Sequence, residues 1–371
     1  MKVSLLRQFS IVIISLVASS TAFAAMDLDS RVTQLENQMQ QVRTETAMGT
    51  YGPKTASARP EINGYGWLFA FDVLYWHPKV GGTEFAYTRQ SNSLLIKGRL
   101  KDIDFKWNWG LRAGLGYNVD HDKWDFKAQY TWFDTKASGA TRQGVDNCVV
   151  PLRASPEMAA DSQSFTSCSS AKSEFGTKYK DLFLELGRAH FMSKYLSFRP
   201  HWGLKSAWIN HSQVIRYSGG AEGEAGGLGV HTVHVKDRCD FRGLGPRVGL
   251  DSKWHLGSGV SLFGNVNGSL VFGAFAVEHK EEFSGDAKKQ IELTSNRRDF
   301  SPTTHMHLGL RYDTYLHNCT QHLGIGLGFE AQHWFRQAQM FKLDASTQSR
   351  MDCQAGDLSI YGMTLDVKWS F

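Results

Sequence analysis

The most constraining feature of this chain is a two-residue alternation that persists for longer than most soluble strands. From Phe105 to Val119 one phase holds Phe105, Trp107, Trp109, Leu111, Ala113, Leu115, Tyr117 and Val119. The other holds Lys106, Asn108, Gly110, Arg112, Gly114, Gly116 and Asn118. Successive strand side chains point to opposite faces, so the segment has one apolar face and one polar or small face. Asp120-His121-Asp122-Lys123 supplies a turn. Trp124, Phe126, Ala128, Tyr130 and Trp132 then continue the apolar phase opposite Asp125, Lys127, Gln129 and Thr131. Two such strands joined by a short turn make a long hairpin.

The unit recurs in 179–191 with 196–217, in 240–256 with 260–277 and in 303–316 with 322–335, and a last strand covers 357–371. Turns within hairpins are short. The connections between them, 134–178, 218–239, 278–302 and 336–356, are long and polar. Short turns alternating with long loops are the layout of a barrel crossing the outer membrane, with turns in the periplasm and loops outside. Strands of about ten residues match a tilted bilayer crossing. A soluble sandwich would need shorter strands and gives no reason for the turn-loop alternation. Ten strands are clear, and 77–104 has room for two more, around Phe85-Ala86-Tyr87 and Leu94-Leu95-Ile96. The expected fold is all-β: a transmembrane antiparallel up-and-down β-barrel of 10–12 strands over residues 64–371. Odd residues of 65–75 and even residues of 198–208 should face lipid.

The segments before the barrel have their own patterns. Residues 1–24 read as a secretory signal peptide: Lys2 and Arg7, the apolar run Ile11–Val17, then Ala22-Phe23-Ala24 as a cleavage motif. No later segment is apolar enough to span as a helix, and mean hydropathy is −0.34. Residues 26–48 read as a short coiled coil, because Leu28, Val32, Leu35, Met39 and Val42 alternate spacings of four and three. About three heptads are marginal for a lone helix, which favours association with further copies of the chain. Residues 49–63 read as a linker. At the other end Tyr361, Met363, Leu365, Val367, Trp369 and Phe371 form one face of an amphipathic strand. A terminal aromatic on such a strand resembles the signal read by the bacterial barrel-assembly machinery. The expected location is the bacterial outer membrane, with its lipid and that machinery as partners.

The polar phase names the residues expected to line the lumen: Lys106, Arg112, Lys127, Asp181, Glu185, Arg199, His201, Lys205, Arg247, Asp251 and Arg311. Side-chain charges lining a pore set its selectivity, and the basic members point to a weak anion preference. The same charges could instead pair across strands and fill a narrow barrel. Lys+Arg total 41 against 36 Asp+Glu, too balanced for nucleic acid. Of five cysteines, Cys148 and Cys168 share one long loop and are expected to form a disulfide there. Cys239, Cys319 and Cys353 have no assigned partner, with Cys239 and Cys353 expected near the outer rim. The pairs His231/His234 and His305/His307 lack accompanying ligands at metal-site spacing, so no metal and no cofactor is expected. No G-x-S-x-G, H-E-x-x-H or P-loop occurs, and no enzyme is expected.

Phe71-Asp72-Val73-Leu74-Tyr75-Trp76, Gly110 to Tyr117, Trp124 to Phe133, Lys194 to Pro200, Gly243 to Leu250 and Phe329-Glu330-Ala331-Gln332 together resemble the Legionella-type major outer membrane proteins. This group has relatives in Chlamydia-like bacteria, and the coiled coil, a departure from the Legionella members, favours that branch. The resemblance implies a pore-forming β-barrel, a trimer, and no catalytic residues. The expected function is passive diffusion of small hydrophilic solutes. The alternatives are a structural or adhesive barrel acting through its loops, and an outer-membrane barrel hydrolase whose site assembles only in space.

Overall fold

The computed structural model describes residues 66–90, 98–119, 124–142, 147–155, 167–193, 195–219, 232–284, 290–316, 321–343 and 351–371. The expected signal peptide, the heptads of Leu28, Val32, Leu35, Met39 and Val42, and the linker lie outside them, as does Cys319. Every regular element among the described residues is a β-strand.

Ten strands close into one antiparallel barrel: β1 (Gly66–Val80), β4 (Asn108–Asn118), β5 (Trp124–Arg142), β7 (Ser170–Arg188), β9 (Leu196–Ser218), β10 (Thr232–Gly257), β11 (Val260–Ser284), β12 (Gln290–Leu316), β13 (Gln321–Leu343) and β14 (Met351–Ser370). The short β8 (His190–Phe191) pairs with β9. The ends meet where β1 pairs β14, from Leu68↔Ser370 to Val80↔Leu358. Beyond that ladder Trp67 and Phe371 exchange backbone hydrogen bonds of 3.0 and 3.1 Å, so the last residue helps seal the seam. Closure removes every edge, which is what lets a sheet sit in lipid. At the β10–β11 turn Gly257, Ser258 and Gly259 all have positive φ, a conformation that glycine adopts without steric cost.

The alternation faces lipid as expected. Trp67, Phe69, Phe71 and Tyr75 on β1, and Trp202 and Leu204 on β9, are exposed on the outside of the wall. Two aromatic girdles bound the apolar belt. Trp67, Tyr117, Phe126, Trp254, Tyr312 and Phe371 lie toward the short-turn rim, and Tyr75, Trp109, Trp132, Phe272 and Phe300 toward the other. Polar connections were expected at 134–178, 218–239, 278–302 and 336–356, but much of them is strand: β10, β11 and β12 run for 26, 25 and 27 residues. The wall therefore continues beyond the belt on the loop side, where outward residues such as Lys236, Arg238, Glu278 and Lys280 are charged.

Of the two extra strands sought in 77–104, the one around Phe85-Ala86-Tyr87 does not enter the barrel, and Leu94-Leu95-Ile96 lies outside the described residues. β2 (Ala86–Gln90) and β3 (Gly98–Lys101) form a separate three-stranded sheet with β6 (Asn147–Pro151), in the order β3-β2-β6. The polar chain between β3 and β4 also departs from expectation. Phe105 is buried with its ring 5.6 Å from Phe175, instead of continuing the lipid face of β4.

Candidate functional site

The interior of the barrel has two layers. Toward the short-turn rim the inward phase is charged, and all ten barrel strands contribute polar side chains. They surround a cavity of about 60 Å³, space for only a few water molecules. Two buried guanidinium groups organise it. Arg112 on β4 reaches Glu330 on β13, and donates to Asp72 on β1 at 3.2 Å and to Thr131 at 3.1 Å. Glu330 also accepts from Thr364 at 2.8 Å and Gln332 at 2.9 Å, and its carboxylate lies 2.7 Å from His305 Nε2. Arg199 on β9 donates from Nε to both Asp125 oxygens, at 2.9 and 2.8 Å, and from Nη1 to Glu185 at 2.9 Å and Asp251 at 2.8 Å. Small residues make the room: a Cβ on Gly187 would stand 2.5 Å from the Arg199 guanidinium carbon.

The remaining cations are less evenly matched. Lys205 lies 3.4 Å from Asp181, and Arg311 pairs with Asp366. Arg247 stacks on the Phe183 ring at 3.9 Å, with its Nε 3.9 Å from Glu185. Lys368 faces the cavity and makes no ion pair among the described residues. Glu185, His201 and Asp251 bring three potential metal-ligand atoms within 4.8 Å of one another. Arg199 already bridges the two carboxylates, and Arg247 stands beside Glu185. Both carboxylates are thus already partnered by an arginine, through the oxygens that do not face His201.

Toward the loop rim the inward phase turns apolar. Leu74, Trp76, Phe133, Tyr179, Ile209, Phe241, Phe275, Trp334 and Ile360 are buried inside the wall. Trp76 and Trp334 lie at the boundary, with Arg112 5.4 Å from one ring centroid and Lys205 4.5 Å from the other. The three-stranded sheet and its flanking chain pack on this layer through Phe85, Ile103, Phe105 and Val149. The inserted chain touches inward side chains around the barrel. Tyr217 on β9 donates to the Phe85 carbonyl, and Gln213 to that of Thr83 at 3.0 Å. Ser155 N–H donates to both Glu281 oxygens on β11, at 3.1 and 2.9 Å. Arg153, 2% exposed, donates to the carbonyls of Gly82, of Glu84 at 3.3 Å and of Phe341 on β13 at 3.0 Å, and lies 3.8 Å from Asp237 on β10. His279 bridges Asp237 and Glu281. Only a segment inside the mouth can reach β9, β10, β11 and β13 together, so these residues form a plug.

Residues 60–371, most of the chain and all of the barrel, match the family model described as the Legionella pneumophila major outer membrane protein precursor. The chain belongs to this family. Its fold and family place it in the bacterial outer membrane. No individually curated protein matches it by sequence. Among solved structures it is similar to the outer membrane protease OmpT from Escherichia coli, at 10% identity and TM-score 0.37, over 86% of this chain and 100% of that one. It is also similar to a Pseudomonas aeruginosa FadL homologue, at 7% identity and TM-score 0.25, over 86% and 93%. The Pseudomonas putida toluene transporter TodX gives 10% identity and TM-score 0.19, over 86% and 92%. Likenesses this distant say nothing about what the present chain does.

In this member of the major outer membrane protein family, ten of the eleven residues expected in the lumen lie there. Arg112, Lys127, Asp181, Glu185, Lys205, Arg247, Asp251 and Arg311 line the cavity, and Arg199 and His201 stand behind it in the same network. Lys106 does not. It precedes β4, is exposed, and is not among the cavity residues, because the strand pattern begins at Asn108. Asp72, Asp366 and Lys368 also line the cavity, in the same polar phase, although none was expected there. The expected disulfide is not formed: Cys148 and Cys168 are free thiols. Val149, not Cys148, bridges Cys168, and the Cys148 thiol approaches the Arg89 carbonyl at 3.5 Å. Cys239, also a free thiol, is buried on β10. His305 and His307 both line the cavity, His305 contacting Glu330 and Asn267.

Proposed function

We propose that the protein is an outer-membrane pore for small hydrophilic solutes, closed in the conformation described and opened by movement of the plug. The observation that carries this reading is the charged, cavity-bearing layer inside the wall at the depth of the apolar belt. A barrel built only as an anchor could fill that layer with apolar side chains more cheaply than with buried charges. Passage through the layer would require solutes to exchange with ion pairs, so conductance should be small. A mild preference for anions is supported by Arg247 and Lys368, whose charges are the least matched by carboxylates. The chain acts in this reading as a channel and not as a catalyst, with no cofactor. Assembly as a trimer, with residues 26–48 joining the copies, belongs to the same proposal.

The test is reconstitution in planar bilayers under a salt gradient. The expected result is small channels with a reversal potential displaced toward the anion, and a displacement that vanishes in an Arg247→Gln/Lys368→Gln variant. Absence of conductance from folded wild type and from a plug-weakened variant alike would overturn the pore. The adhesive barrel would then be the better reading.

A further inference from the structure

The outside of the wall carries a feature that neither pore activity nor anchoring requires. Across five adjacent strands one register row reads Lys180 on β7, Trp208 on β9, Arg242 on β10, Ala274 on β11 and Arg298 on β12. Trp132 on β5 extends the row on the Lys180 side. All six residues belong to the outward phase. On their own strands Lys180, Arg242 and Arg298 are the first outward residues past the apolar belt on the loop side, followed inward by Leu182, Leu244 and Phe300. The row therefore lies where outer-leaflet lipid changes from acyl chain to headgroup.

Its composition is selective. Lys180 and Arg242 stand two strand spacings apart, as do Arg242 and Arg298, or roughly 9–10 Å. Trp208 fills the first gap and Ala274 leaves the second shallow. None of the three cations makes an ion pair among the described residues. The nearby Asp240 does not neutralise them, since it takes Arg238 at 2.8 Å and Asn210 at 2.6 Å. Lys178, one outward position further from the belt, adds a fourth cation, with Asp134 on β5 as its register partner. Unpaired guanidinium and ammonium groups beside an interfacial tryptophan match a phosphate-bearing headgroup whose acyl chains lie on the belt below.

We propose that Lys180, Arg242 and Arg298, with Trp208, form a binding site on the barrel exterior for a phosphorylated lipid of the outer leaflet. The row's position at the belt edge selects a lipid over a soluble phosphate, because only an amphiphile can place its anionic group there while covering Leu182, Leu244 and Phe300.

The experiment is native mass spectrometry of the detergent-purified full chain titrated with diphosphorylated lipid A, with the same glycolipid stripped of its phosphates, and with inorganic pyrophosphate. The site variant is Lys180→Gln/Arg242→Gln/Arg298→Gln. The control is Lys172→Gln/Lys236→Gln/Lys280→Gln, which removes the same charge from outward positions further from the belt. Heat-dependent gel mobility verifies that both are folded. Expected are retention of the diphosphorylated lipid by wild type and control, retention at least about tenfold weaker in the site variant, and little binding of the other two probes. Equal retention by the site variant and wild type overturns the proposal. So does an equal loss in the control, which would mark a diffuse charge effect. Binding of the dephosphorylated lipid as strongly as the diphosphorylated one, or of pyrophosphate as strongly as lipid, overturns it as well.

Discussion

Arg153→Met should loosen the plug while leaving the barrel intact. The side chain is 2% exposed and holds three backbone carbonyls, at Gly82, Glu84 and Phe341. Methionine keeps most of the volume and removes every donor. A hydrogen bond from a charged group contributes about 1.5–3 kcal/mol, and the bonds of one guanidinium are not additive. We assign the closed state a loss of about 3–5 kcal/mol, the range found when one partner of a buried charged cluster is removed. Burial of Phe85, Ile103, Phe105 and Val149, at roughly 1.5–3 kcal/mol each, still opposes opening, so the plug should be weakened and not expelled. Each 1.4 kcal/mol is tenfold in an equilibrium constant, so the ratio of open to closed barrels should rise by roughly two to three and a half orders of magnitude. The assay is open probability in planar bilayers, supported by liposome swelling with small sugars. Unchanged conductance from a variant with wild-type heat-dependent gel mobility would refute the reasoning, and so would a wild type that is already fully open.

Other perturbations test separate parts of the structure. Glu330→Gln leaves Arg112 buried with only Asp72 as a charged partner, and should lower stability by about 3–5 kcal/mol in urea unfolding followed by tryptophan fluorescence; a change below about 1 kcal/mol would mean the network is not structural. Burial, with a smaller contribution from Cys148, pushes the Cys168 thiol up to about 12. In the folded protein at pH 7–8 it should therefore alkylate far more slowly than in urea, and equal rates would count against the burial described. Deleting Phe371 removes a paired residue at the β1–β14 seam and should reduce assembled barrel in the outer membrane, measured as heat-modifiable protein in the envelope fraction. Deleting residues 26–48 behind an intact signal peptide should shift detergent-solubilised trimers to monomers. An unchanged oligomer would show that the barrels associate by themselves.

What the sequence could reveal depended on which solvent each face meets. The lipid phase was legible because lipid demands apolar side chains along the whole crossing, as in Trp67 to Tyr75 and Trp202 to Trp208. The charged lumen layer followed from the same alternation, and Arg112, Arg199 and Lys205 were found by phase alone. Which carboxylate each one meets was not, because closure brings β4 within side-chain reach of β13, and no local spacing encodes that. The plug was missed for a different reason. Where the lumen is dry, the inward phase becomes apolar too, and alternation disappears into runs such as Val73-Leu74-Tyr75-Trp76, Trp132-Phe133 and Ala274-Phe275-Ala276-Val277. Such a run has an apolar residue for lipid or wall surface and another for an internal core.

These runs lie on separate strands, so each looks like a local irregularity. On β1, β5, β9, β11 and β13 they all occur toward the loop rim, where β1 carries Leu74 and Trp76, β5 Phe133, β9 Ile209, β11 Phe275 and β13 Trp334. An inward apolar layer facing bulk water would be unfavourable, and only another part of the chain can cover it from inside. Two segments have the composition for it: Phe85-Ala86-Tyr87, which resembles a strand yet is too short to cross the membrane, and Cys148-Val149-Val150 within an otherwise polar connection. Both are in the inserted sheet, where Tyr87 pairs with Val150 and Arg89 with Cys148. Loss of alternation at the same end of several barrel strands, together with short apolar strands in the loops, is thus a sequence signature of an internal plug. In this chain it separates a barrel that is merely lined with charge from one that is also closed.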